Sequence, residues 1–423
     1  MSISRRHFMV GTALTTSALA IPTFLRAADK PKVVVIGGGA GGATAARYIA
    51  KDSKGAIDVT LIEPQQAFTT CFFSNLYIGG FRTFESITHD YRTLEGTHGI
   101  KVVHQMATGV DKAAKTVTLA DGSSVPYDKL IVSPGISLKW DSFPGYTKDA
   151  SEVMPHAWQA GPQTQLLKSK VDGMKEGGTF VMVAPPNPYR CPPGPYERVS
   201  MIAHVFKQKN PKAKIIVLDP KEKFSKQGLF QAGWEQHYPG MVEWIPASIH
   251  GGIKSVDVAT GEIKTDLDTF KSDAANIIPA QAAGEIAATA GLTNDTGFCP
   301  IVPGSMQSQA DPNVYVLGDS TIAGDMPKSG YSANSQAKVC ANAVRGELTG
   351  SKVFPAKFSN TCWSLIATND GVKVGASYEA KPDKITSTGG FVSKTGEDAA
   401  LRKATFEESV GWYAGIANDI FGA

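Results

Sequence analysis

Apolar positions along this chain fall into two kinds of run, and their alternation predicts the architecture. Short, mostly apolar runs recur at 33–36, 58–62, 129–132, 179–184, 214–219 and 313–317. Each is bounded by Gly, Pro, Asp or Glu, which reads as a strand buried on both faces. Between them lie stretches with helical spacing. These are an Ala-rich run after Gly42, a run that begins near Tyr196, and "SQAKVCANAV" at 335–344. Strands alternating with helices predict an α/β fold. Near the C-terminus, "NTCWSL" leads into alternating residues that suggest a strand after Cys362. Phe406, Val410, Tyr413, Ile416 and Ile420 then recur at helical spacing, but the polar face carries Glu407, Glu408 and Asp419. A helix lying on a membrane surface favours basic residues there, so this one reads as core or subunit-interface packing.

The first strand and helix carry the most specific signal. In "KPKVVVIGGGAGGATAARYIAK" the strand turns through Gly37, Gly39 and Gly42 into the helix, which is G-x-G-x-x-G in its proper context. Gly37 permits the tight turn, Gly39 lets the backbone approach a pyrophosphate, and Gly42 lets helix pack on strand. Glu63 ends the second strand, about 20 residues on, where a ribose-binding acid belongs. "YDKLIVSPGI" and "NVYVLGDST" are similar to two later strands of two-dinucleotide-binding flavoproteins. One closes the FAD domain; the other ends in the Asp that holds the ribityl chain, here Asp319. The helix after "MPKSGY" would face its positive end to the flavin.

The expected organisation is therefore a glutathione-reductase-like FAD/NAD(P) fold. A discontinuous FAD domain spans 29–145 and 270–348, and a second Rossmann-like domain spans 146–269. A C-terminal α+β interface domain spans 349–423. The length of 423 residues and the 42% hydrophobic content suit two or three domains. In the second domain, the strand-to-helix junction where a nicotinamide fingerprint would lie reads "PPNPYRCPPGPY". Proline has no amide hydrogen, so this loop cannot present a row of donors to a pyrophosphate. That domain is expected to lack a nicotinamide site.

Charge changes the picture at the N-terminus. "SRRHFM" places paired arginines ahead of a mildly apolar run, which reads as a twin-arginine export signal over residues 1–28 and predicts a periplasmic protein. Loss of Arg5, Arg6 and Arg26 with the signal takes the net charge from +3 to 0, so nucleic acid is not an expected partner. Stable membrane insertion is not expected either, and no cysteine spacing suits a metal.

Five cysteines remain: Cys71, Cys191, Cys299, Cys340 and Cys362. No C-x-x-C-H occurs, so no haem attaches to this chain. Cys71, in "PQQAFTTCFFSNLYIGG", follows the ribose acid. It reads equally as a thiol that attaches the flavin and as a small apolar residue under a loop. Cys191 stands between prolines at the mouth of a helix, where a thiol's pKa is expected to fall. Glu197, in the helix's first turn, is a candidate proton carrier or a solvated acid that complements the helix dipole. Cys299 and Cys340 read as core. Apart from Cys71, four cysteines allow three pairings.

Taken with "YRCPPGPYERVS", "HAWQAGPQT", "GLTNDTGFCP" and "NTCWSL", these segments resemble the flavoprotein subunits of flavocytochrome c sulfide dehydrogenases over essentially the whole chain. Closely similar are the flavoproteins of sulfur-oxidation (thiosulfate) systems, which serve as electron-transfer or non-catalytic subunits. The resemblance implies FAD joined through its 8α-methyl to Cys71. It also implies a redox disulfide between Cys191 and Cys362, with Glu197 near it. Finally, it implies sulfide as substrate, zero-valent sulfur or polysulfide as product, and a heterodimer with a c-type cytochrome subunit.

Overall fold

A computed structural model describes residues 29–422. The export signal expected over residues 1–28 lies outside them. In chain order, β1 (Lys32–Ile36) leads into α1 (Gly42–Ser53), β2 (Asp58–Ile62), the short helix α2 (Ser74–Ile78), β3 (Lys101–Val103) and β4 (Lys129–Val132). A second run gives β5 (Thr179–Val183), α3 (Gly194–Lys209), β6 (Lys214–Asp219), α4 (Gln227–His237), β7 (Val242–Pro246) and β8 (Ala274–Ile277). The last third gives β9 (Val314–Val316), α5 (Gly330–Thr349), β10 (Lys357–Ala367), β11 (Asp370–Ala380), β12 (Ile385–Val392) and α6 (Ala399–Phe421).

Two parallel sheets and one antiparallel sheet form the frame. The first has the order β9-β4-β1-β2-β3 and the second β7-β6-β5-β8. Register is set by apolar residues facing one another: Val35 pairs with Leu61 on one side and Ile131 on the other. Val181 likewise sits between Ile216 and Ala275. Because both faces are covered, these central strands are almost wholly buried, as uninterrupted Val/Ile/Leu runs require. β9 returns to the edge of the first sheet beside β4, so residues far along the chain complete the sheet that β1 begins.

The turn between β1 and α1 shows why glycine is needed. Gly37 has φ +99°, and a Cβ there would lie 2.3 Å from the Ser133 carbonyl oxygen. A Cβ on Gly42 would lie 1.9 Å from the Gly37 carbonyl oxygen, so helix and strand pack closely only with hydrogen at both positions.

β10, β11 and β12 form the antiparallel sheet. The strand expected after Cys362 begins five residues before it, and Cys362 pairs with Val374 in mid-ladder. The reason is a polar residue on the inward face. Phe358 and Asn360 are both buried, and a buried Asn breaks an apolar/polar count without breaking the ladder. α6 buries Tyr413, Ile416, Ile420 and Phe421 against the frame, which is the core packing its spacing suggests. Among the described residues no helix is long and apolar enough to cross a membrane.

Candidate functional site

Three separate segments bring Cys71, Cys191, Cys362 and Glu197 into the wall of one cavity. Cys71 comes from the loop before α2, Cys191 from the proline loop before α3, Glu197 from the first turn of α3, and Cys362 from mid-β10. Cys299 and Cys340 are fully buried and do not line the cavity. All five cysteines are free thiols in this structure.

The proline loop holds Cys191 in a conformation that side chains rarely adopt. Its φ is +57°, in the left-handed region, which costs roughly 1–3 kcal/mol for a residue with a Cβ. Hydrogen bonds fix it there. The Cys191 amide donates to the Lys328 carbonyl at 2.7 Å, and the Gly194 amide donates to the Cys191 carbonyl at 2.8 Å. The Tyr189 hydroxyl donates to the Pro192 carbonyl at 2.7 Å. A Cβ at Gly194 would stand 2.9 Å from Cys191 Sγ and from the Trp158 ring, so only glycine leaves room for the sulfur. The loop thus presents one thiol to the cavity with little freedom.

Glu197 is engaged on both oxygens. Oε2 accepts from Asn75 Nδ2 at 2.8 Å, and Oε1 accepts from the Leu365 amide of β10 at 2.9 Å. Asn75 is itself fixed, since Nδ2 also donates to the Gly194 carbonyl at 3.1 Å and Oδ1 accepts from Arg198 Nε at 3.0 Å. The Arg198 guanidinium, buried, donates further to the Ala157 carbonyl at 2.7 Å and to Asn276 Oδ1 at 3.0 Å. It also lies 4.9 Å from the centre of the Trp158 ring. Lys226 reaches β10 and donates to the Cys362 carbonyl at 3.1 Å and to Ser364 Oγ at 2.8 Å.

Burial dominates the electrostatics. It pushes the Cys71, Cys191 and Cys362 thiols above their ordinary value, and Cys191 well above, where neighbouring Cys362 and Glu197 add to the effect. This corrects the expectation that the helix mouth lowers the Cys191 pKa. The dipole effect falls off within one turn of the helix end and is worth at most about 2 kcal/mol, whereas desolvating a thiolate in a closed cavity costs more. Burial likewise raises the Glu197 carboxyl, against its two hydrogen bonds. The cations move the other way: Arg198 falls to about 9 and Lys226 to about 8, burial being the largest cause of each. Glu197 is therefore not the solvated first-turn acid.

The remaining sequence-derived residues lie at the turn of β1 and beside the proline loop. Glu63 directly follows β2 and accepts from the Gly38 amide at 2.7 Å and from the Gln65 amide at 3.0 Å. A Cβ on Gly39 would touch the Phe68 ring at 3.1 Å. Asp319 is buried beyond β9, with Arg190 Nη1 3.6 Å from Oδ2 and Oδ1 without a hydrogen-bond partner among the described residues. Ser332 Oγ at the start of α5, Trp158 Nε1 and Trp363 Nε1 are also buried and unpartnered. Buried polar atoms are satisfied in nearly all folded proteins. Trp158 and Trp363 line the cysteine cavity and Asp319 adjoins it through Arg190, so these orphaned atoms fit a polar cofactor bound beside the cysteines.

Asn75, Trp158, Arg190, Arg198, Lys226 and Lys328 also build the site, and sequence reasoning passed over them. The two arginines stood in plain view beside Cys191, in "YRCPPGPYER". Lys226, in "KEKFSKQG", looks like any solvated charge run.

Fold and site together define a flavin-dependent oxidoreductase of the pyridine nucleotide-disulphide class, whose family model matches residues 31–167. The model "Sulfide dehydrogenase [flavocytochrome c] flavoprotein chain, central" matches residues 164–279. That for "Flavocytochrome c sulphide dehydrogenase, flavin-binding" matches 355–421. The sulfide dehydrogenase flavoprotein chain of Chlorobaculum thiosulfatiphilum is 57% identical over 44 residues, which is 10% of this chain and 90% of that sequence. The chain belongs to the family of flavocytochrome c sulfide dehydrogenase flavoproteins. It is also similar to the mitochondrial sulfide:quinone oxidoreductase of Dictyostelium discoideum, at 24% identity over 69% of this chain and 65% of that one. The crystal structure of the sulfide:quinone oxidoreductase from Aquifex aeolicus superimposes with a TM-score of 0.68 at 18% identity, covering 93% of each chain.

Proposed function

We propose that this chain oxidises sulfide to zero-valent sulfur or polysulfide as the flavoprotein subunit of a periplasmic sulfide:cytochrome c oxidoreductase, exported by the twin-arginine route. The observation that carries the reading is the convergence of Cys191, Cys362 and Glu197 on one cavity beside Cys71. Cys191 and Cys362 form the redox pair, and Arg190 and Arg198 in the same wall attract an anionic substrate.

Glu197, its carboxyl raised by burial, takes the proton when hydrogen sulfide becomes hydrosulfide. Hydrosulfide attacks Cys191 Sγ of the disulfide, a sulfur–sulfur bond forms, and the Cys191–Cys362 bond breaks with its electron pair on Cys362. Cys191 then carries a persulfide, and the thiolate sits on β10. Persulfide plus thiolate hold two electrons more than disulfide plus zero-valent sulfur, and one proton is released when the disulfide reforms. FAD is held by the turn at Gly37, Gly39 and Gly42, by Glu63 and Asp319, and as a thioether to Cys71; bound there, it supplies the acceptor for those two electrons. A c-type cytochrome subunit, as heterodimer partner, carries them onward.

The test is stopped-flow bleaching of the flavin by sulfide in the FAD-loaded chain, with cytochrome c reduction followed in parallel. Cys191→Ser and Cys362→Ser should each abolish both signals while the flavin stays bound. Full turnover in either variant rejects the mechanism, and a wild-type chain whose flavin sulfide does not bleach would be a non-catalytic electron-transfer subunit. A second reading, with a quinone as acceptor, is favoured by the likeness to the sulfide:quinone oxidoreductases. Reduction of a soluble quinone analogue faster than cytochrome c would select it.

A further inference from the structure

Lys226 occupies a place that a lysine should avoid on three counts. It adopts φ +62°, in the left-handed region, directly before α4. It stands at that helix's N-terminus, where the dipole disfavours a cation. Its side chain turns inward and is buried, which disfavours the charged form again. Its two hydrogen bonds, to the Cys362 carbonyl and Ser364 Oγ, need a donor but no charge. Hydrogen bonding alone therefore does not account for an ammonium group here. What does favour it is anionic character close by.

Cys362 faces polar and titratable groups from several neighbouring elements. Glu197 comes from α3 and Cys191 from the loop before it. Tyr378 comes from β11. On β10 itself, Asn360 Nδ2 lies 3.5 Å from Cys362 Sγ, and Asn360 Oδ1 accepts from the α5 cap Ser329 at 2.6 Å. Of these, Glu197, Cys191 and the Tyr378 phenol can become negative and would oppose a second anion. Lys226 is the cation among them.

We propose that Lys226 is a positioning residue for the redox cysteines, whose ammonium, anchored to β10 beneath Cys362, stabilises the electron pair left on Cys362 Sγ when the disulfide opens. This rests on the assignment of Cys362 to the redox pair. Burial raises the Cys362 thiol, and Lys226 opposes that rise, as do Asn360 and Ser329. Lys226 itself falls to about 8, with Cys362, Glu197 and Cys191 all pulling it upward. Thiolate and ammonium thus support each other.

The test uses the FAD-loaded full chain reduced with dithiothreitol and then freed of it. Iodoacetamide alkylation of Cys362 is followed by peptide mass spectrometry across a pH series, with no sulfide present. An opposite charge a few ångströms away shifts a pKa by about 1–3 units. Lys226→Gln, which removes the charge and keeps an NH2 donor, should therefore slow Cys362 alkylation about tenfold or more at a fixed pH below the inflexion and move the profile upward. Lys226→Arg should restore most of it. Equal profiles for wild type and Lys226→Gln overturn the proposal, and so does an equal loss in the Gln and Arg variants, which would mark a packing role. If Lys226→Gln does not fold, Lys226→Met decides: an unchanged Cys362 profile overturns the proposal, and a slowing of about tenfold that Lys226→Arg restores supports it. Alkylation reads the thiolate directly, so failure of sulfide to bleach the flavin would count against the proposed function and not against this assignment.

Discussion

Replacing Glu197 by Gln removes one oxygen's acceptor capacity from a site that needs two. Oε1 and Oε2 each accept one hydrogen bond, from the Leu365 amide and from Asn75 Nδ2. A glutamine presents one oxygen and one NH2, so one of those donors must face another donor. Neither donor can turn away. Leu365 donates from the backbone of β10, and Asn75 is held by the Gly194 carbonyl and by Arg198 Nε. Flipping the Asn75 amide would set its oxygen against a carbonyl and its NH2 against the guanidinium. An unsatisfied buried donor costs about 1–3 kcal/mol, so Glu197→Gln should destabilise the FAD-loaded chain by about 2 kcal/mol.

That cost depends on pH, and its sign follows from burial. The ordinary carboxyl value is 4.5, and Glu197 is raised above it in the folded chain. Its contribution to stability is therefore fully present below the unfolded value and is lost as pH rises through the folded one. The gap between wild type and Glu197→Gln should be widest in acid and narrow above pH 4.5. Guanidinium titrations at several pH values read it, provided the m-values agree. In parallel, loss of a positioned proton acceptor should slow flavin bleaching by sulfide by about 10²–10⁴-fold. A variant with wild-type denaturation midpoints at every pH and wild-type bleaching would refute both the geometry and the role.

Two further expectations follow from the same site. Cys71→Ser should leave FAD bound in the native protein but released by acid precipitation, whereas wild-type flavin stays with the pellet; flavin retained by the variant would exclude the thioether. Arg198→Met should lower stability by about 1–3 kcal/mol, because it leaves a buried carbonyl and two amide side chains without their donor. Differential scanning calorimetry of the FAD-loaded chain checks this, and a melting temperature within a degree of wild type would contradict it.

What was legible in the sequence was whatever rests on local chemistry. β1, its glycine turn and α1 appear where apolar run and G-x-G-x-x-G place them, since backbone sterics alone dictate those residues. Short buried strands such as β5 and β6 were equally plain, because both faces are covered and the run is continuous. Cys362 was placed at a strand's edge and not inside it, because a buried Asn360 disguised the alternation. The electrostatics at Cys191 were read from the nearest helix end. The deciding quantity, how much water the assembled cavity excludes, is set by α2, α3, β10 and the start of α5 together. Lys226 was invisible for the same reason: its partner lies 136 positions away on β10.

The charges of the cavity form one system. Three thiols and a carboxyl are all pushed toward their protonated forms, while Arg190, Arg198 and Lys226 stand around them. Arg190 has Asp319 beside it, but the hydrogen-bond partners of Arg198 and Lys226 are neutral. Buried cations so placed are costly, and the chain tolerates them where negative charge arrives or forms. An entering hydrosulfide and a thiolate released on β10 are both of that kind. The arginines would serve the first, since they line the space it enters, and Lys226 the second, since it is tied to the strand that carries Cys362. Raising ionic strength should therefore weaken sulfide capture while leaving the Cys362 alkylation profile nearly unchanged, because a buried ion pair is screened far less than an incoming anion. Equal salt dependence of the two rates would mean that the cations do not divide their work in this way.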